Sequence, residues 1–553
     1  MEKTVTFFFI CLISKVKPTP VSLYTPADNI KILDVSNFKE KVENSTSAWL
    51  VEFYASWCGD CQRFAPKWKD FANDVLDWRD IVQVGAVACS DEINTPLCRE
   101  MGIFKYPTVK YFHENYQVSS SNVGVDLVHD DDTDPSIKEK VLEYLIREVH
   151  EGRRNNYPNL LPYNHEHLEH LYDDAADNVE FIFLVIADTG YLGAELALDL
   201  HKIPAVAVRY SSVNNSVLKT NLGIENYPTI LVLDKNNKSE IFKNATTSDE
   251  IKSTVSDFLQ SKGINLEMHL SEDNTTSNNT DLHLDRLPVT LLRQHIKKMG
   301  DVVFQADLEA ALRYSLQQEV SSVEVIKDEK LKTLKDYLSV INKYFPFGYR
   351  SSSLISLLIN VTSQAKEVRG IQIQDLVKEA EENNLFSSPR RFIGCLGSSP
   401  SFRGYPCSLW TLFHYLTVNF ADANADNRNV NPREVLETVH SYVKNFFGCK
   451  ACSLHFQEMA TKRNMTNVSS LEDSVLWLWE SHNVVNERLK GDPTEDPEYQ
   501  KVQFPTRHNC PECYAEYGFW ERSQVLAYLK RMYGRFNVRY IGSDTSVIFP
   551  GLD

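Results

Sequence analysis

The chain has 553 residues, with 42% hydrophobic and 24% charged side chains, so it is a globular protein of several domains and not a disordered one. Its formal net charge of −17 excludes a nucleic-acid binder, which needs a basic footprint. The acidity lies on solvated surface such as Asp130-Asp131-Asp132 and names no partner.

Residues 1–22 read as a secretory signal. Val5 to Ser14 is a short apolar run with Lys3 ahead of it, too short to span a bilayer as a mature helix. No other stretch reaches transmembrane length, so a soluble mature protein with no anchor is expected. Of the eleven cysteines, Cys11 lies in that signal. The others fall into close pairs: Cys58/Cys61, Cys89/Cys98, Cys395/Cys407, Cys449/Cys452 and Cys510/Cys513, with none between Cys98 and Cys395. In an oxidising compartment this reads as local disulfides in two separate modules. Asn-x-Ser/Thr sequons, for example at Asn44, Asn244, Asn274 and Asn360, agree with secretory passage.

The first module, 28–155, carries a buried-strand pattern from Leu50 to Tyr54, then Trp57-Cys58-Gly59-Asp60-Cys61, then a helical pattern through Phe64, Trp68 and Phe71. Strand, C-x-x-C, helix is a thioredoxin-like redox arrangement. Cys58 falls at the helix N-terminus, where free N–H groups and the helix dipole favour a thiolate. Cys61 lies one turn inside, placed to resolve a mixed disulfide. Glu52, an acid between apolar neighbours, matches the proton-relaying buried acid of the thioredoxin family. Its plain alternative is a strand residue facing solvent, and the apolar neighbours on both sides favour the buried reading. Pro107, in Tyr106-Pro107-Thr108, resembles that family's cis-proline, which helps dock substrate. Asp60 departs from the His that many oxidising relatives carry between the cysteines. An acid there disfavours a neighbouring thiolate and predicts a less oxidising disulfide than Asp60→His. Cys89 and Cys98 are placed to staple the module's edge.

A weak repeat follows. Gly102 to Thr108 returns as Gly223-Ile224-Glu225-Asn226-Tyr227-Pro228-Thr229, and with Phe181 to Ala187 as a buried strand it marks 160–262 as a second thioredoxin-type domain. Lacking cysteine, that domain cannot exchange disulfides, which leaves spacing and substrate contact. Residues 263–285 have linker composition. From 286 to 390 the period turns helical, with stripes Phe304/Leu308/Leu312/Leu316, Leu331/Leu334/Leu338/Ile341 and Leu354/Leu357/Leu358/Val361. These predict a helix-rich spacer with core-facing stripes and no ligand cluster.

The last module, 391–520, begins with Cys395 and Cys407 bracketing a loop. A helix is predicted over Ser408 to Phe420, with Trp410 and His414 on one face. Another is capped at Asn431, has Pro432 first in the helix, and carries Val435, Val439, Tyr442 and Phe446 on one stripe. It leads to Cys449-Lys450-Ala451-Cys452, followed by His455. A third helix runs from Leu471 to Leu489, with Trp479, His482, Asn483 and Asn486 on a single stripe. That stripe is odd for plain core, since buried amides need partners, and suits the edge of a flat, polar, aromatic ligand. A helix from Trp520 to Tyr533 and a tail complete 521–553. A zinc site joining Cys449/Cys452 to Cys510/Cys513 is disfavoured by a spacing far beyond the roughly 15–20 residues of a zinc ribbon. Cys510/Cys513 is open to reading as a shuttle or as a structural clip, with the clip preferred.

Arg403-Gly404-Tyr405-Pro406-Cys407-Ser408-Leu409-Trp410-Thr411-Leu412-Phe413-His414, the Cys449 to His455 stretch and Trp479-Glu480-Ser481-His482-Asn483-Val484-Val485-Asn486 together resemble the flavin module of Erv-type sulfhydryl oxidases. The whole order of domains resembles the quiescin sulfhydryl oxidase family. The resemblance implies an α/β plus all-α protein: two thioredoxin-like domains, a helix-rich spacer and an Erv-type four-helix FAD-binding bundle. It implies FAD held by Arg403, Trp410, His414, Ala451, His455, the turn Trp479 to Asn486 (Glu480, Ser481, His482, Asn483, Val484 and Val485 included), Lys501 and Phe504, the last standing where the family often has Trp. It further implies an enzyme that turns thiols and oxygen into disulfides and hydrogen peroxide. Electrons would pass from Cys58/Cys61 to Cys449/Cys452 to FAD. The expected partners are reduced, unfolded or partly folded secretory proteins and molecular oxygen, and the expected location is the Golgi or endoplasmic reticulum lumen, or outside the cell. The competing reading is a flavin-free disulfide-exchange chaperone, which has no use for the Trp479–Asn486 stripe.

Overall fold

The computed structural model of the chain describes residues 22–119, 122–127, 137–153, 158–188, 191–236, 238–242, 247–264, 296, 298–347, 352–383, 385–388 and 390–539. The Asp130–Asp132 run, Asn244, Asn274, most of the 1–22 signal and of the 263–285 linker, the start of the 286–390 segment and the tail beyond 539 lie outside them. Asn44 and Asn360 are exposed.

The first sheet is ordered β1-β3-β2-β4-β5, from Lys31–Leu33, Val82–Ala88, Ala48–Tyr54, Thr108–Phe112 and Val125–Asp126. β2 is central, parallel to β3 and antiparallel to β4, and all seven of its residues are buried. A strand covered on both faces reads as a continuous apolar run, and Glu52 is the one charge in it. Helix α1 (Gly59–Asp74) follows with Cys58 as its N-cap. The second sheet, β7-β6-β8-β9 (Val206–Ser212, Phe181–Ala187, Thr229–Asp234, Ser239–Phe242), repeats the pattern around β6. The Tyr106–Pro107 and Tyr227–Pro228 peptides are both cis, as the first was expected to be. Trp78 Nε1 donates to Asp199 at 2.7 Å and Lys138 pairs with Glu195 at 2.8 Å, joining the two modules.

The rest is helical. α2 (Gln305–Tyr314) runs into a π-helical turn, Ser315–Val320. The bundle proper contains α3 (Gly404–Ala423), α4 (Glu434–Asn445), α5 (Lys450–Lys462), α6 (Leu471–Leu489) and α7 (Arg522–Tyr533). α3 packs on α2, α6 and α7, and Val303–Phe304 pairs with Val538–Arg539, so the spacer and the end of the chain close onto one bundle. Two local readings change. α4 starts at Glu434 with Arg433 as N-cap, because the Asn431 side chain accepts the Arg433 N–H at 3.1 Å and makes a turn before the helix. Leu357 is 43% exposed, on the outer edge of its stripe. Among the described residues no helix is long and apolar enough to cross a membrane.

Candidate functional site: two cysteine pairs and a flat cavity

Cys58 and Cys449 are N-caps of α1 and α5, and the fold brings these two helix ends together. The Cys58 Sγ, a carboxylate oxygen of Asp60 and the Cys449 Sγ lie within 4.8 Å of one another. The docking uses backbone. Tyr106 N–H donates to Gly448 O at 2.8 Å and Lys450 N–H to Tyr106 O at 3.4 Å, a parallel bridge between Tyr106 and Cys449. Glycine at 448 is required by this approach, since a Cβ there would stand 2.5 Å from the Tyr106 ring. Trp57 stacks on Phe447 with centroids 5.4 Å apart and donates Nε1–H to Tyr314 at 2.6 Å.

Four of the expected disulfides are formed: Cys89–Cys98, Cys395–Cys407, Cys449–Cys452 and Cys510–Cys513. The fifth is not. Cys58 and Cys61 are free, buried thiols. A reversible pair has two states, and a dithiol facing the Cys449–Cys452 disulfide is the reduced one. Cys510 and Cys513 are both fully buried, as Cys58 and Cys449 are, but their disulfide pins the loop ahead of the last helix, which suits a clip.

Glu52 does not face solvent: it is 0% exposed. Tyr24 donates its hydroxyl to Glu52 Oε2, and Oε1 is buried with no partner. Burial pushes the Glu52 carboxyl up to about 8. Burial first, and then Cys58, push the Cys61 thiol well above its ordinary value, with the Glu52 charge adding to the effect. Asp60 is not a bare carboxylate. It pairs with Arg63, which reaches Asp492 of the bundle at 3.2 Å.

Beside Cys452 opens a cavity of about 460 Å³. Arg403, Trp410, Ala451, His455, His482, Val485, Asn486, Lys501 and Phe504 line it. His414, Trp479 and Asn483 are buried next to it: His414 Nε2 lies 3.0 Å from His482 Nδ1, and Trp479 and Asn483 donate to Phe504 O; Ser481 is fully buried and is not among the lining residues. Asn483 and Asn486 thus find the partners that buried amides need, in the 502–504 backbone. Glu480 and Val484 do not join the cavity. Glu480 pairs with Arg463 and Arg522, and Val484 is 44% exposed, because successive helix residues point to different faces.

The cavity suits a dinucleotide with flat rings. Trp410 and His482 stack 4.2 Å apart at 4° and present a planar wall. Burial, and then the neighbouring Arg403, lower Lys501, and burial lowers Arg403, so two desolvated cations stand ready for phosphate. Arg403 lines the cavity and its Nε is buried without a partner, free to serve a ligand. Burial holds His414 at about 3, so it stays neutral.

Sequence reasoning missed Tyr24, Lys105, Glu319 and Asp492. For Glu319 a signal existed: it follows Leu316 by three, continuing the Leu308/Leu312/Leu316 face. For the others no local pattern points to the partner.

Comparison with known proteins agrees. Residues 29–128 match the thioredoxin family, 155–263 the QSOX Trx-like domain, 301–398 the flavin adenine dinucleotide (FAD)-dependent sulfhydryl oxidase family and 407–505 the Erv1 / Alr family. Sulfhydryl oxidase 1 of Gallus gallus is 33% identical over 94% of this chain and 68% of its own length. The Cavia porcellus protein of that name is 31% identical over 94% of this chain and 83% of its own. The solved sulfhydryl oxidase fragment of human QSOX1 is 37% identical over 43% of this chain and 98% of its own, with a TM-score of 0.40. The segment read as a spacer is thus itself part of the flavoenzyme pattern, and a flavin-free chaperone is set aside. With relatives above 30% identity along nearly its whole length, the chain belongs to the FAD-dependent sulfhydryl oxidases, enzymes that form disulfides from thiols.

Proposed function

We propose that the oxidase works as a relay in which Cys58 is the first and Cys452 the last of four thiols. The observation that carries this reading is the approach of the Cys58 and Cys449 sulfurs within 4.8 Å. A substrate thiolate attacks Cys58 of the Cys58–Cys61 disulfide, Cys61 leaves as a thiolate, and a second substrate thiol releases the substrate disulfide and the reduced pair. Cys58 as thiolate then attacks Cys449. The Cys449–Cys452 bond breaks and Cys452 leaves as a thiolate beside the cavity. Cys61 attacks Cys58, closing Cys58–Cys61 and freeing Cys449. The proton that Cys61 gives up goes to the ionised form of Glu52, which Tyr24 orients and whose second oxygen is unengaged. Arg403, Lys501, Trp410, His455, His482 and Phe504 hold and orient FAD. Bound there, FAD supplies the two-electron acceptor chemistry that ends in reduction of oxygen to hydrogen peroxide.

Module boundaries at 28–155, 160–262, 286–390 and 391–520 fit this division of labour, with the Arg522–Tyr533 helix added to the bundle. The substrates proposed are reduced, unfolded or partly folded secretory proteins, met in the Golgi or endoplasmic reticulum lumen or outside the cell. The N-terminal apolar run, the sequons and the oxidised cysteine pairs support that location. Cys58→Ser tests the relay. It is expected to abolish oxidation of protein thiols and to spare slow turnover of dithiothreitol, read as bleaching and recovery of the flavin band in air. Normal protein-thiol oxidation by Cys58→Ser would rule the relay out.

A further inference from the structure

The π-helical turn Ser315–Val320 lies in the segment whose sequence shows only core stripes. Turns of this kind occur often at functional sites. The turn and the residue after it reach the first thioredoxin module: Gln317 Nε2 donates to Glu92 at 2.5 Å, Thr95 Oγ1 donates to Gln318 Oε1 at 2.8 Å, and Arg99 Nε donates to Ser321 O at 2.6 Å. Glu92 and Thr95 lie in the loop that the Cys89–Cys98 disulfide closes, and Arg99 follows Cys98 directly. Glu319 reaches a different module. Its Oε2 accepts the Gly448 N–H at 2.5 Å, one residue before Cys449. Gly448 O in turn accepts Tyr106 N–H. The chain of bonds therefore closes on itself, from the thioredoxin module through the π turn and Gly448 back to the thioredoxin module.

We propose that Glu319 is a positioning residue for the exchange between the two cysteine pairs: by holding the Gly448 amide it aims Cys449 at Cys58, and this makes the 286–390 segment a working part of the relay. The inference rests on the relay proposed above. Its geometry is built and closed. Glu319 is 3% exposed, and a Cβ on Gly448 would stand 3.3 Å from Glu319 Oε1. The groups that face it are Lys105 and Tyr106 from the cis-proline loop, Tyr314 from α2, Tyr405 from α3 and Tyr442 from α4. Lys105 does not form its bond with Glu319; its Nζ donates to Phe447 O at 2.8 Å, steadying the same loop. Burial pushes the Glu319 carboxyl up to about 8. A protonated carboxyl still accepts the amide hydrogen, and it places no anion near sulfurs that pass through the thiolate form. The acceptor oxygen is what counts, so glutamine is the conservative replacement.

The test compares flavin-loaded wild type, Glu319→Ala and Glu319→Gln, each assayed with reduced denatured lysozyme and with dithiothreitol. Both dithiothreitol and protein turnover are also measured in the Cys58→Ser background, where dithiothreitol must reduce Cys449–Cys452 directly. For Glu319→Ala the ratio of protein to direct dithiothreitol turnover is expected to fall about ten- to hundredfold, the scale of a misplacement near 1 Å. Glu319→Gln is expected to restore most of it. A parallel loss of both activities, an unchanged ratio in Glu319→Ala, or a Glu319→Gln as impaired as Glu319→Ala each overturns the proposal. Failure of the relay itself shows separately, as protein oxidation that survives Cys58→Ser in otherwise wild-type enzyme.

Discussion

The two thioredoxin-type sheets share a scaffold and differ in chemistry. β2 pairs Phe53 with Thr108, the residue after Pro107, and β6 pairs Ile186 with Thr229, the residue after Pro228. By that register Val185 stands where Glu52 stands, and both are fully buried. In the first sheet the position holds a carboxyl raised by burial, with one oxygen on Tyr24 and the other free. In the second it is filled by an aliphatic side chain and there is no cysteine to serve. One face of the second sheet keeps its own apolar cluster, around Ile182, Leu184, Leu231 and Leu233. Its other face, with Phe183 and Val185, joins the continuous core of the first sheet, which alone reaches the second cysteine pair through Tyr106, Phe447 and Cys449. A buried acid is costly, and it is present only on the sheet whose edge meets a second disulfide.

Replacing Glu52 by its counterpart is the strongest way to break this contrast. Glu52→Val is expected to lower protein-thiol turnover about a hundredfold, the usual scale for losing a proton acceptor, while raising stability. The sign follows from the shift. The Glu52 carboxyl is raised from 4.5 to about 8, so its contribution to stability is complete below about 4.5 and is lost as the pH rises through about 8. The melting temperature of Glu52→Val should therefore gain on wild type across that window, and parallel curves would refute the buried acid's cost. Gly448→Ala comes next. Its Cβ meets the Tyr106 ring, and interdomain transfer, measured as flavin reduction by reduced protein, should slow at least about tenfold. Asp60→His should make the first disulfide more oxidising in equilibration with glutathione. Because Arg63 already pairs with Asp60, the change in equilibrium constant should be at most about tenfold. An equal or higher potential for Asp60 would refute it. The smallest effect is expected for Cys510→Ser with Cys513→Ser: turnover unchanged and about 1–2 kcal/mol of stability lost in thermal melts. Loss of turnover there would reinstate a shuttle.

Most of the machinery was legible without coordinates because it is local. A C-x-x-C after a buried strand and before a helix is set by a dozen contiguous residues, and α6 spans Leu471–Leu489 as its periodicity indicated. The ligand stripe was legible only as a face. Trp479 and Asn483 turn out to bond the 504 carbonyl, and Glu480 turns outward, because which side of a helix meets a cavity depends on what packs against it. The missed residues share one property: their partners are distant in the chain. Tyr24 meets Glu52 across 28 positions, Glu319 meets Gly448 across 129, and Arg63 meets Asp492 across 429. By itself the sequence determined the elements, the cysteine pairs and the family, since propensity, periodicity and motif spacing act over a few turns. Only the tertiary structure decided what partners the buried Glu52, which pair is open and what holds Cys449 toward Cys58, because desolvation and docking depend on every surface that closes over a group.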